Sequence, residues 1–268
     1  MEFSEFTQKI SALPSLSPST REAFEIIDNH DVTVADVAEL LEKDPGMVAR
    51  ILQMANSAAY GFSSQIKTVR DAMLRIGLSH TKNIIVMSTL FDDIGKSDLS
   101  GEIRRHGVAV SKAGKIYAKK SGYPKADDCG AVGLVHDIGR VIFLLYEIKE
   151  LKSQKPALPD EWKTEEEMSR YGTTHSEIGG VVLGEWKFPE IYGTIVASHH
   201  RTEGLPAGFD KPILALYLSE MSVDGIGTDK PPSKDEAERL ADALKRLNIP
   251  KAFYEETSNR IREEMGGY

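Results

Sequence analysis

Apolar residues along this chain return every three or four positions and scarcely alternate, a pattern that predicts helices throughout and almost no sheet. The expected fold class is therefore all-α. Thr33 with Asp36 marks one helix start, and Asp44 followed by Pro45 at the first helical position marks another, which carries Val48, Ile51, Leu52 and Ala55. Thr68 with Asp71 marks a third. Ser79 is placed to cap the apolar segment Ile84-Ile85-Val86-Met87, which runs on to Leu90-Phe91. Composition changes at Asp92-Asp93-Ile94-Gly95-Lys96-Ser97, which places a lobe boundary near residue 95. The expected organisation is a helical amino-terminal lobe, residues 1–95, packed on a second helical lobe, residues 96–268.

In the second lobe a helix from Leu99 to Ser121 aligns Leu99, Ile103, Val110, Ala113 and Tyr117 on one face, and His106 shares that face. The polar stretch Lys152 to Glu167, with Pro156 and Pro159, reads as a mobile flap. Thr174 with Glu177 fits a capping box, which sets His175 in the first turn of a helix ending near Trp186. Ile191, Ile195 and His199 recur at spacing four, so His199 is directed inward, while His200 is turned away by about 100°. Glu220 continues the face of Ile213, Leu216 and Tyr217, as an inward acid or as an exposed charge near a helix end. The loop Gly225 to Pro232 precedes a polar-rich helix from Ser233 to Leu247, and a last helix follows Pro250. In the first lobe, Ala55-Asn56-Ser57-Ala58-Ala59-Tyr60-Gly61 reads as tight packing and a turn.

The candidate chemistry centres on His136-Asp137, within Gly133-Leu134-Val135-His136-Asp137-Ile138-Gly139-Arg140. Burying an imidazole and a carboxylate with no partners costs roughly several kcal/mol. A buried His bonded to a neighbouring helix, with Asp near solvent, explains the dyad alone. Its company points elsewhere: five of the seven histidines, His106, His136, His175, His199 and His200, fall between residues 106 and 200, beside the acids Glu102 and Glu220. Such a set asks for a divalent metal, one ion or two, and serves iron, manganese, nickel and zinc alike. Glu102, one turn before His106, is a second ligand, a carboxylate that fixes the imidazole tautomer, or a solvated charge. His200 reads equally as a ligand or a surface residue.

A net charge of −8 disfavours a nucleic-acid partner, and the short basic pairs Arg104-Arg105 and Lys119-Lys120 read as solvated helix faces. The single Cys129 excludes an internal disulfide and reads as a small buried thiol. No apolar run is seen to approach the roughly 20 residues of a membrane span, and the start Met1-Glu2-Phe3-Ser4-Glu5 lacks signal-peptide character. The expectation is a cytoplasmic protein with no membrane partner.

These residues resemble the HD superfamily of metal-dependent phosphohydrolases, with its His, its His-Asp pair and its distant Asp. The closer likeness is to the HDOD signalling branch, through Leu13-Pro14-Ser15-Leu16, Asp44-Pro45, Ala55 to Tyr60, Arg75-Ile76-Gly77-Leu78 and Gly133 to Gly139. The resemblance implies an HD-like helical bundle in which His106 is the first His, His136 and Asp137 the pair, and Glu220 stands in the region of the final Asp. His175 and His199-His200 resemble the further histidines of the HD-GYP cyclic-dinucleotide phosphodiesterases. The segment Arg201-Thr202-Glu203-Gly204-Leu205-Pro206, however, is shorter than their loop and lacks Gly-Tyr-Pro. Two functions follow as expectations. One is a signalling output or regulatory module that works through protein partners; the other is a metal-dependent phosphohydrolase acting on nucleotides or phosphoesters.

Overall fold

The computed structural model describes residues 18–27, 29, 31–56, 64–78, 80–85, 98–149, 164–186, 188–223 and 233–265, and among these there is no strand. The protein is all-α. It divides into two compact units, Leu13–Lys96 and Ser97–Tyr268.

In the first unit, α1 (Pro18–Ile26), α2 (Val34–Leu41), α3 (Pro45–Ala55) and α4 (Val69–Ile76) are followed by helical residues 80–85. Local chemistry sets where these helices start. Thr33 and Asp36 form a reciprocal capping box at α2, and Thr68 accepts the Asp71 N–H at α4. Asp44 serves two helices: Oδ1 accepts the Met47 N–H at the start of α3, and Oδ2 accepts the Thr20 hydroxyl of α1 at 3.0 Å. The core gathers Leu41, Met47, Ile51, Met73, Ile84 and Ile85. Each such side chain contributes about 1.5–3 kcal/mol by leaving water. Asn56, the C-cap of α3, donates to Leu52 O and Ile66 O at 2.8 Å and accepts the Ile66 N–H at 2.7 Å. It is a cap of α3 and a bridge from residue 56 to residue 66; Ser57 to Gly61 of the turn reading lie outside the described residues. Ser79, Val86 to Phe91 and the boundary near residue 95 lie outside the described residues.

The second unit comprises α5 (Asp98–Lys120), α6 (Ala126–Val135), α7 (Ile138–Lys149), α8 (Thr164–Tyr171), α9 (His175–Glu185), α10 (Glu190–Ser198), α11 (Asp210–Val223), α12 (Lys234–Arg246) and α13 (Lys251–Met265). Helix α5 packs on α6 and α11, α9 packs on α7 and α10, and α11 also meets α13. Glycines let backbones touch where the chemistry gathers. A methyl group on Gly107 would fall 2.9 Å from Leu134 O, and one on Gly133 would fall 2.8 Å from Ser111 Cα. That approach of α5 to α6 brings His106 to His136. A methyl group on Gly139 would collide with the His175 backbone, so the start of α7 abuts the start of α9.

The sequence expectation of no span-length apolar run needs correcting. Within the 22 residues Ala126–Glu147 a window of 18 reaches a mean hydropathy of 1.5, enough by length and composition for a membrane span, and that window is buried in the unit. Two helices with a turn at His136-Asp137 make up that run, and residues 129–147 are buried. The flap reading is also modified. Residues 150–163 lie outside the described set, but Thr164–Tyr171 is helix α8, with Glu167 and Tyr171 buried on one face.

Candidate metal centre

Helix ends supply most of the candidate side chains. His136 is the C-cap of α6, and with Asp137 it turns the chain into α7. The last turn of a helix leaves backbone carbonyls without partners. His136 uses one of its own, with Nδ1 donating to Gly133 O at 2.7 Å. His199, the C-cap of α10, repeats the device, with Nδ1 donating to Val196 O at 2.6 Å. A proton fixed on Nδ1 leaves a lone pair on Nε2 in each neutral ring. His175 is the first residue of α9, after the Thr174–Glu177 capping box. Its Nδ1 lies 2.8 and 2.7 Å from the two oxygens of Glu167.

Asp137 stands between two groups of side chains. Its Oδ2 is 3.6 Å from His106 Nε2 and 3.5 Å from His136 Nε2; its Oδ1 is 3.5 Å from His175 Nε2 and 4.0 Å from His199 Nε2. Glu220 Oε1 completes the first group, 2.7 Å from His136 Nε2 and 3.2 Å from His106 Nε2. The second group closes with His200, whose Nε2 is 2.8 Å from that of His175, while the Nε2 atoms of His175 and His199 are 3.4 Å apart. The possible ligand atoms of His106, His136 and Asp137 lie within 4.8 Å of one another, as do those of His175, His199 and His200.

Charge is distributed unevenly over the two groups. Burial holds the His199 imidazole well below its usual range, as it does for His175, where the Arg140 guanidinium adds to the effect. His200 is also pushed down, mainly by burial. For His136, burial disfavours the charged form, but Glu220 and Asp137 together outweigh it and raise the ring well above its usual range. His106 is raised in the same way, burial being overcome chiefly by Glu220. Burial opposes the Asp137 carboxylate, yet Arg140, whose guanidinium lies 3.3 Å from Oδ2, and His136 hold it well below the usual carboxylate range. Burial pushes Glu167 up to about 7.

This donor set fits a cation. With their Nδ1 protons committed, His175 and His199, held neutral by burial, turn Nε2 lone pairs toward each other and toward Asp137, and His136 Nε2 faces Asp137 and Glu220. His136 Nε2, 2.7 Å from Glu220 Oε1, and Asp137 Oδ1 are both buried. Lone pairs this close repel unless a metal ion or an added proton lies among them.

The structure thus brings His106, His136, Asp137, His175, His199, His200 and Glu220 together. Glu102 is not brought in: it is exposed on α5, one turn before His106, which faces Glu220 and Asp137 instead. Helix phase turned His200 away from His199, but α10 ends at Ser198 and the chain turns there, so both rings lie side by side, 4.0 Å between centroids. Glu220 is the inward acid, 3% exposed, and its longer arm reaches both His106 and His136. Sequence reasoning missed Glu167, which lay in the presumed flap. The available clue was that Glu167 and Tyr171, four apart, share a helical face.

The chain belongs to the HDOD family, whose domain model matches residues 13–202. An uncharacterized protein of Treponema pallidum (strain Nichols) is 23% identical over 236 residues, covering 83% of this chain and 44% of its own length. The chain thus spans less than half of that curated relative. Among solved structures, an HDOD domain protein of unknown function from Geobacter sulfurreducens matches with a TM-score of 0.65 at 20% identity, over 98% of this chain and 95% of the other. A Shewanella amazonensis SB2B protein, provisionally named a phosphohydrolase, matches with a TM-score of 0.68 at 22% identity, over 98% and 97%. A Marinobacter aquaeolei VT8 protein, provisionally named a signal transduction protein, matches with a TM-score of 0.69 at 14% identity, over 97% of this chain and 59% of the other. At these identities the likeness concerns the fold.

Proposed function

We propose that this protein is an HDOD signalling output or regulatory module whose second unit binds one or two divalent cations through His106, His136, Asp137, His175, His199, His200 and Glu220. The observation that carries the reading is the convergence of four imidazole Nε2 atoms, those of His106, His136, His175 and His199, within 4.0 Å of the two oxygens of the buried Asp137. A carboxylate with one oxygen toward each histidine group suits a bridge between two ions. Nickel, iron, manganese and zinc all accept such ligands. Bound ions would hold the ends of α6, α9 and α10 together with α5 and α11, and protein partners would read that arrangement. The net charge of −8 favours protein contacts over nucleic acid.

A second reading, a phosphohydrolase acting on nucleotides or phosphoesters, is favoured by one observation. His106, with 20% of its side chain exposed, and His200, half-buried, give the cluster an edge toward solvent. Bound there, a divalent cation would lower the pKa of a coordinated water and neutralise a phosphate oxygen.

The test is elemental analysis of protein purified without chelators, combined with phosphoester and nucleotide turnover assays. The signalling reading expects bound metal, negligible turnover, and loss of metal in His136→Ala/Asp137→Ala with a lower Tm. At a free metal concentration of 100 times Kd, that loss corresponds to about 2.7 kcal/mol. Robust metal-dependent turnover abolished by the double substitution makes the enzyme primary; a wild-type protein that takes up no metal overturns both readings.

A further inference from the structure

The three buried rings with an assigned Nδ1 partner are not held in the same way. His136 and His199 end their helices, where free carbonyls abound, and each finds its acceptor three residues back in its own chain segment. His175 begins its helix. A helix start offers unpaired N–H groups and no free carbonyl, so a ring placed there has no local acceptor for its Nδ1 proton. The acceptor must come from another element, and α8 supplies it. Glu167 is wholly buried, its carboxylate lies 2.8 and 2.7 Å from His175 Nδ1, and Oε2 also accepts the His175 backbone N–H at 2.8 Å. One side chain thus caps an unpaired donor of α9 and fixes which ring nitrogen carries the proton.

Helix α8 is itself fastened to α7. The Tyr171 ring stacks on Phe143 at 4.1 Å, and the Tyr171 hydroxyl donates to Glu147 at 3.1 Å, the same carboxylate oxygen that Arg170 meets at 2.6 Å. Arg140, from the first turn of α7, has Nε 4.0 Å from Glu167 and a terminal nitrogen 3.3 Å from Asp137. Glu167 therefore faces both His175 and the cation beside the bridging carboxylate.

We propose that Glu167 is a positioning residue of the metal centre, delivered by α8 to hold His175 with its proton on Nδ1 and its Nε2 turned to the ion. The proposal rests on the metal reading above and deepens it. Carboxylate partners of ligating histidines are typically worth about 10–100-fold in metal affinity.

The experiment compares wild type, Glu167→Gln, Glu167→Asp and His175→Ala as full chains. Circular dichroism and thermal melting first establish that each variant folds. Two readouts follow: the tautomer of His175 from long-range 15N–1H spectra of the metal-free protein, and affinity for Co2+ and Zn2+ added alone. We expect the His175 Nδ1–H signature in wild type and its loss or mixing in Glu167→Asp, whose shorter arm withdraws the acceptor. Co2+ affinity should fall about 10–100-fold in that variant. Glu167→Gln keeps one acceptor oxygen but sets an amide N–H against the second donor, so it should fall between the two. Folded Glu167→Asp and Glu167→Gln with an unchanged tautomer and unchanged metal affinity overturn the proposal. If wild type binds neither metal, the metal reading fails, and the tautomer comparison alone then decides whether Glu167 orients His175.

Discussion

The two units of this protein solve opposite problems. Among the described residues, the first closes an apolar core with caps at its helix starts, and its buried Lys82 lies over the Phe24 ring, 4.7 Å from the centroid. The second draws His136, Asp137, Arg140, Glu167, His175, His199 and Glu220 out of water together. Burial of that many ionisable groups is costly unless they satisfy one another or a ligand. The first unit is built for folding, and the second accepts a folding penalty at the place where chemistry is arranged. Stability and function therefore sit on different sets of residues, and substitutions should separate them.

The largest separation is expected at Ile51, which is fully buried in the first core. Ile51→Ala should cost about 2–5 kcal/mol in denaturant unfolding. The metal stoichiometry of the protein that remains folded should not change, because no described residue of the first unit belongs to the cluster. A changed stoichiometry would erase the distinction between the units.

A smaller effect, confined to the second unit, is expected from pH. In the metal-free protein His136 is raised well above 6.5, so near neutral pH it carries a proton where a metal would bind. Binding must release that proton. Apparent affinity should then rise at least about tenfold per pH unit below the raised value of His136, with His106, also raised, adding to the release, and level off above it. Calorimetric titration in buffers of different ionisation enthalpy measures the released proton, and no release near pH 7 would contradict the assignment. His175 and His199, held well below 6.5, are already neutral in this range and release none.

The smallest effect returns to the first unit. Thr68→Ala removes the oxygen that accepts the Asp71 N–H at the start of α4 and should cost about 1 kcal/mol, read as a lower denaturation midpoint with metal affinity unchanged.

How much of this was legible in the sequence depended on how local the controlling interaction is. The capping boxes at Thr33, Thr174 and Ser233 lie within three residues of their partners, and all three helix starts match. The inward face of His106 followed from regular spacing inside a long helix, whereas for Glu220 the same spacing left an inward acid and an exposed charge both open. His200 did not, because phase has meaning only while the helix continues, and α10 stops just before the pair. Glu167 was hidden for a related reason. It is one of three consecutive glutamates, Glu165, Glu166 and Glu167, in a short helix outside any long apolar stripe, where only the spacing of four to Tyr171 singles it out. Glu102 was the converse: correct spacing from His106, but on the exposed side of the turn.

The buried pair α6 and α7 has a consequence for how the chain is made. Ribosomes release Ala126–Glu147 before Asp210–Val223, the helix that later lies against α5 and α6. During that interval the nascent chain displays a long apolar stretch with no covering helix, interrupted at its centre by His136-Asp137 and Arg140. Such surface is what chaperones bind and what drives aggregation when synthesis stalls. The dyad that gives the site its chemistry is, at that moment, also a polar break, with Arg140, in the middle of a stretch that targeting factors would otherwise read as membrane-bound.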